Sequence, residues 1–350
     1  MPDERGEMTA SGTAGPGAHP PVDRSNTHGG PRATVVRQVE RVALPAVWLI
    51  LIVVFSLTAS HTFPTTATAS NILGSQSIVL VLAMCLLIPL VAGDYDLSVA
   101  YNLSLSAMVI AVLNVREHWP VGLAILAALA CGATLGVING ALVTLLGIDP
   151  IIATLGTGTV ASGVVQWISG SAVISGVSDS LVKPVIIDRL FGVSYNFWYA
   201  LIVCAVVWYV LEYTPAGRRL LIVGRSRSVA RLSGLPVNRI RWRGFIIAGV
   251  LASFAGVLYA GTLGGADPSS GTSYLLPGFA AAFLGATTMR PGRFNAWGCF
   301  IAVYFLGTGI FGLQLLGLQS YVQPLFYGGA LVAAVAFSQI IRGRQALDTN

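Results

Sequence analysis

Charge is what this sequence has least of. Asp, Glu, Lys and Arg together make up 10% of the 350 residues, while 55% are apolar and the mean hydropathy is +0.76. A soluble domain carries about 25% charged residues, so a chain with a wholly water-facing surface is excluded. Lysine is nearly missing: Lys183 is the only one, and Pro184 follows it. A P-loop needs a Lys followed by Ser or Thr to reach bound phosphates, so ATP hydrolysis by that route is excluded. The cysteines, Cys85, Cys131, Cys204 and Cys299, all fall in apolar runs at no metal-ligand spacing, and helix packing accounts for them. The four histidines (His19, His28, His61 and His118) lie in the N-terminal tail or in turns. No Ser–His–acid set, Cys–His pair, metal cluster or carboxylate pair stands out. No catalytic or metal-binding residue is assigned.

What remains is apolar runs of bilayer-spanning length, for which about 20 residues suffice. They cover roughly 43–60, 71–92, 96–114, 120–147, 151–170, 197–213, 244–264, 275–289, 295–312 and 322–341. The expected fold is an all-α polytopic membrane protein of about ten transmembrane helices, with N and C termini in the cytoplasm. Residues 1–42 read as a disordered cytoplasmic tail rich in Gly, Pro, Ser, Thr and charge. Residues 43–342 form the membrane domain and 343–350 a short cytoplasmic tail. With this topology 17 of the 20 basic residues face the cytoplasm, leaving Arg116, Lys183 and Arg189 outside. The positive-inside rule selects that arrangement. The net charge of +6 therefore follows from topology and does not indicate nucleic acid.

Residues 214–243 concentrate eight arginines without one acidic residue, between two apolar runs. Inside them lies a short helix signal: Ser226 or Ser228 as N-cap, Val229 and Leu232 on one face, Arg227 and Arg231 on another, then Gly234 and Pro236 to stop it. Attraction to anionic lipid explains the charges but not this capping pattern. A cytoplasmic coupling loop, whose helix receives force from a soluble motor, explains both.

Glycine is abundant at 40 residues. Gly132, Gly136, Gly140, Gly156, Gly158 and Gly163 sit at spacings that let helix backbones approach closely. Leu145-Leu146-Gly147-Ile148 and Leu315-Leu316-Gly317-Leu318 end two spans in the same way, as an inverted repeat of spans two to five on spans seven to ten would require.

Four ordered segments resemble the membrane permease subunit of bacterial ABC sugar importers of the ribose type. Gly93-Asp94-Tyr95-Asp96-Leu97-Ser98-Val99 is similar to that family's Gly-Gly-Ile-Asp-Leu-Ser-Val signature. Gly136 to Gly140 with Ile151 to Gly156 is similar to its Gly-hydrophobic-Ile-Asn-Gly and Thr-Leu-Gly elements, and Thr214 to Leu235 resembles its coupling loop. Gly285 to Arg293, with Ala280 and Ala281, resembles its Ala-Ala and Gly-Gly-Thr-Ser signature. The chain departs from the pattern at Asp94, where the family has a second glycine, and at Ala286, Pro291, Leu275 to Pro277 and Phe311 to Gln314.

The resemblance implies a permease that passes a small polar solute, a pentose or related sugar, across the bacterial plasma membrane by alternating access. It implies a cytoplasmic ABC ATPase, an extracytoplasmic solute-binding protein and a second permease subunit, with membrane lipid around them. ATP and Mg would be used by the ATPase, and no cofactor by this chain. Gly224, Arg227, Ala230, Arg231, Leu232, Ser233 and Gly234 are the expected ATPase-coupling residues. Candidate pathway residues are Asp96, Ser98, Asn139, Phe279 and Phe283. Asp96 is equally a cap of the third span, and Asp149 a cap of the fifth. The aromatics are equally packing residues. Asparagine is expected to be tolerated at both Asp94 and Asp96. The alternatives are a nucleoside or other small-solute ABC permease, an ion-coupled transporter using Asp94 or Asp96, and a membrane scaffold.

Overall fold

The computed structural model describes the backbone of residues 31–347 and the side chains of residues 41–336. The described residues from Val39 onward form one compact unit. In chain order the helices are α1 (Pro31–Thr58), α2 (Thr66–Ser75), α3 (Ser77–Val91), α4 (Ser98–Ala111), α5 (Val121–Thr144), α6 (Pro150–Ser169) and the short α7 (Asp179–Val182). They continue with α8 (Tyr195–Tyr213), α9 (Pro215–Arg225), α10 (Arg227–Leu232), α11 (Val237–Leu263), α12 (Ser270–Gly285), α13 (Ala296–Leu315) and α14 (Val322–Leu347). Two antiparallel pairs of two-residue strands, Ile174–Ser175 with Gly265–Ala266 and Arg189–Leu190 with Val193–Ser194, are the only sheet among the described residues.

Every expected span falls on a helix. Among the described residues, eight helical segments are long and apolar enough to cross a membrane. α12, with 16 residues, and the described apolar part of α14, Val322–Ala336, occupy the eighth and tenth runs but are shorter. The protein is an all-α polytopic membrane protein.

Three boundaries differ from expectation. The second run is broken at Gln76, which separates α2 from α3. The tail expected over 1–42 is helical from Pro31, and the one expected over 343–350 is helical to Leu347. The residues beyond these points, His19 and His28 among them, lie outside the described ones. Pro31 suits a first helical position, where its missing N–H costs nothing.

α3 is the centre of the fold, with every residue from Ser77 to Leu90 buried. It reads as apolar on all sides because protein surrounds it on all sides. α11 packs against α3, α4 and α5, and α12 against α3, α13 and α14. The glycines explain how α5 and α11 come so close. A Cβ at Gly132 would strike Ser253 and the Gly249 carbonyl, and one at Gly136 would strike the backbone of Phe245 and Ile246. Gly140 and Gly158 likewise receive Trp242 and Tyr101, whereas Gly156 and Gly163 face open space and pack against nothing. Close packing therefore covers four of the six glycines read that way.

The two Leu-Leu-Gly ends both turn on a left-handed glycine, but their closing bonds span six residues at the first and five at the second. Gly147 and Gly317 are left-handed, at φ 72° and 90°. The amides of Ile148 and Leu318 reach back to the carbonyls of Leu142 and Leu313 at 3.1 and 3.2 Å.

Candidate functional site

The arginine-rich stretch folds as two helices and the start of a third. Thr214 caps α9 through its hydroxyl, which accepts from the Gly217 amide at 3.3 Å, and Pro215 takes the first helical position. α9 buries Leu220 and Val223 and exposes Arg218, Arg219 and Arg225. Sequence reasoning passed over this helix, although Thr-Pro followed by an apolar stripe was its signal. The last three arginines, Arg239, Arg241 and Arg243, belong to α11 and not to a loop.

α10 follows expectation in detail. The Ser226 hydroxyl accepts from the Val229 amide at 3.4 Å. Gly234 is left-handed at φ 75°, and the Leu235 amide reaches the Ala230 carbonyl at 3.0 Å, closing the helix with the looped bond typical of such ends. Ala230 anchors the helix, fully buried with Val223 and Val237. Arg231, Leu232, Ser233 and Gly234 are exposed, Leu232 at 89%. A Leu presented to water beside arginines forms a mixed apolar and basic tip.

Gly224, at the end of α9, lies directly on the end of α3. A Cβ there would overlap the Val91 carbonyl oxygen. Just beyond sits Asp94, only 1% exposed. Arg241 donates to it from Nε at 2.7 Å and from Nη2 at 2.6 Å, and Arg227 from Nη2 at 2.8 Å. Arg227 Nη2 also donates to the Gly93 carbonyl at 3.0 Å. One buried carboxylate thus joins the loop after α3 to the root of α10 and the first turns of α11. Asp94 was read as an added charge at a glycine position. Its partners, 133 and 147 residues away, were not foreseen.

Asp96, Ser98 and Asn139 do come together. Asp96 Oδ1 accepts from the Ser98 amide at 3.0 Å and hydroxyl at 2.6 Å, which is the capping role. Ser98 Oγ accepts from Asn139 Nδ2 at 2.7 Å, and Asn139 Oδ1 from Thr157 at 2.5 Å. All three candidates are buried, so this network ties α4, α5 and α6 together. Asp96 lies in the 92–97 connector between two spans, where burial pushes its carboxyl up to about 6 against the pull of the Ser98 bonds. Asp149 caps α6, accepting from Ile151 at 2.9 Å.

Phe279 and Phe283 stack on each other at 6.4 Å, and Phe283 stacks on Tyr95 at the same distance. Phe283 and Tyr95 line a cavity of about 570 Å³ shared with Asp94 and Gly224. They lie at the α10 end of the fold.

A different, polar vestibule opens at the other end of α3 and α11. From Arg241 to Tyr259, α11 rises about 27 Å at 1.5 Å per residue, close to the ~30 Å of a hydrocarbon core. Two cavities of about 540 and 330 Å³ meet there, sharing Ser75, Gln76, Gln323 and Tyr327. Phe311 lines the first, and Asp267, Ser270 and Tyr259 the second. Gln76 occupies the helix break, where Gly307 leaves it room, and its Oε1 accepts from the Tyr327 hydroxyl at 3.4 Å. Asp267 is turned by bonds from Ser269 at 2.8 and 2.7 Å, both to Oδ1. A lone Gln inside an apolar run was the available signal for this site.

Residues 68–335 match the family model described as the branched-chain amino acid transport system permease component. The chain belongs to this permease family. It is 33% identical over 308 residues to the ribose import permease protein of Escherichia coli (strain K12), covering 87% of this chain and 94% of the relative. It is 30% identical over 292 residues to that strain's D-allose transport system permease protein, covering 83% and 89%. The L-arabinose ABC transporter permease protein of Azospirillum brasilense is 29% identical over 315 residues, covering 90% and 92%. The protein is therefore a multi-pass permease component. Among the described residues no group of three His, Cys, Asp or Glu could hold a metal ion.

Proposed function

We propose that this chain is the transmembrane permease subunit of an ATP-driven importer for a pentose or related sugar. It works with a separate cytoplasmic ABC ATPase that uses ATP and Mg, an extracytoplasmic solute-binding protein and a second permease subunit. The observation that carries this is mechanical: α10, the connector after α3 and the start of α11 are fastened at Asp94, and α11 runs on to the polar vestibule. Force on the exposed Leu232 tip then reaches the vestibule through rigid helices. The amide, hydroxyl and carboxylate groups of Gln76, Gln323, Tyr327 and Asp267 match the hydroxyls of a sugar. The ribose, D-allose and L-arabinose permeases this chain is similar to support the same solute class.

An ion-coupled mechanism at Asp94 is disfavoured, because three arginine N–H groups already occupy the carboxylate. The decisive test is uptake of labelled D-ribose, D-allose and L-arabinose into vesicles holding the full set of partners. Uptake should require ATP and persist when an ionophore collapses ion gradients. Loss of uptake with the ionophore, at constant ATP, refutes the motor-driven mechanism.

A further inference from the structure

A second cavity of about 360 Å³ lies at the coupling end, on the outer side of the α8–α11 pair. Of its lining residues only Arg219 and Arg243 are polar; the rest are aliphatic or glycine. Its walls are Ile202, Val206 and Val210 of α8 and Ile247 and Leu251 of α11, with Ile88 of α3 at the floor. Val206 and Ile247 are 55% and 49% exposed, so the groove opens sideways, where a spanning helix meets lipid. From Ile202 to Val210 the wall of α8 extends about 12 Å, and from Ile240 to Leu251 that of α11 about 16 Å, at 1.5 Å per residue. Half of the ~30 Å hydrocarbon core is about 15 Å, so the groove is one leaflet deep.

The two arginines close that picture. Arg219 on α9 and Arg243 on α11 stand at one end of the groove, both exposed. Neither takes part in any ion pair among the described residues, in contrast to Arg227 on α10 and Arg241 on α11. A trough that takes an acyl chain, headed by two cations without counter-ions, is complementary to one kind of molecule.

We infer that this groove is a seat for an anionic phospholipid of the cytoplasmic leaflet. The acyl chain lies between α8 and α11, and the headgroup phosphate accepts hydrogen bonds from Arg219 and Arg243. The leaflet assignment rests on the coupling end facing the cytoplasm, whereas the chemistry of the seat does not depend on the sugar. Because α9 forms one lip of the groove and Gly224 presses that helix onto α3, an occupied seat braces the helix that leads into α10.

The test uses the purified full-length chain in detergent. Retained lipid is read by native mass spectrometry and thermal unfolding is followed in parallel. The probes are phosphatidylglycerol, phosphatidylcholine with the same acyl chains, and glycerol phosphate. Wild type should retain phosphatidylglycerol and melt at higher temperature with it than with phosphatidylcholine. Glycerol phosphate should do nothing. Arg219→Gln/Arg243→Gln, both at exposed positions, should erase the preference, a change of about 30-fold if each contact contributes about fivefold. Ile247→Trp, which fills the trough and keeps the arginines, should lower retention of both lipids. Three outcomes would overturn the inference: an undiminished phosphatidylglycerol preference in the double Gln variant, a full shift with glycerol phosphate alone, or a change of oligomeric mass in the variants, which would make the groove a contact between copies.

Discussion

Replacing Asp94 by asparagine keeps the shape of the side chain and removes the charge that two arginines share. Asn Oδ1 can still accept from the Nη2 groups of Arg227 and Arg241, but its amide then faces another donor, Arg241 Nε–H. Arg241 is 7% exposed and loses its counter-ion where water cannot replace it. Breaking a buried pair in this way costs about 3–5 kcal/mol. Arg227 is 41% exposed, so solvent screens its share to at most about 1 kcal/mol. Nearly all of the loss should therefore come through Arg241. Thermal unfolding in detergent should rank Asp94→Asn and Arg241→Gln far below wild type, with Arg227→Gln close to it. The double variant Asp94→Asn/Arg241→Gln should recover most of the loss, since the one charge left unpaired, Arg227, is 41% exposed and solvated. In reconstituted complexes Arg227→Gln should still weaken the ATPase response to loaded binding protein, because the root of α10 is released. An Asp94→Asn protein with wild-type melting and wild-type coupling would show that the buried triad holds nothing.

Three further outcomes follow from the same region. Gly224→Ala places a methyl group on the Val91 carbonyl and should disrupt the α3–α9 contact, whereas Gly234→Ala meets open space and carries only the roughly 1 kcal/mol strain of a left-handed backbone; comparing expression and melting of the two variants checks this. The Asp96 carboxyl is raised in the folded state from 3.8 to about 6, so the native protein binds more protons than the unfolded chain, and stability should decline as pH rises from about 4 to about 6. Asp96→Asn should keep the Ser98 cap and flatten that dependence in melting curves taken at pH 5 and 7.5; an unchanged slope assigns the pH response elsewhere. Single cysteines at Ser226 and Thr66 in a Cys-free background should label from opposite sides of the membrane, and labelling of both from outside would reverse the cytoplasmic assignment of α10.

Local chemistry explains which features were legible beforehand. The apolar spans follow from the length of the apolar runs, and α10 from a cap, a stripe and a stop within nine residues. Asp149 and Asp96 as caps needed only neighbours two residues away. Asp94 was not legible, because its meaning depends on Arg241, 147 positions later and carried on another helix. Treating Asp94 and Asp96 alike, with asparagine tolerated at both, is corrected on that ground: one carboxylate is a charge partner, the other a cap. The break at Gln76 and the vestibule beyond it were hidden for a related reason. An apolar run long enough to span a membrane looks continuous until tertiary contacts decide where it bends. Phe279 and Phe283 are candidate sugar-stacking groups by sequence, but the stack of Phe283 on Tyr95 at the α10 end depends on how α12 lies against the connector after α3.

α3 carries one more consequence. Its hydropathy is among the highest in the chain, yet it touches no lipid over Ser77–Leu90. Two demands that usually fall on different segments meet in it. Entry into a bilayer asks only for greasy side chains and treats Leu, Ile and Val as equivalent. Residence at the centre of a packed helical bundle asks for particular volumes, because a single lost methyl leaves a gap that lipid cannot reach to fill. Exchanges among aliphatic residues should thus pass unnoticed on the exposed face of α1, at Leu49 or Leu57, and be felt at Leu82 or Leu86. Natural variation within this span should be governed by shape while its hydrophobicity stays constant.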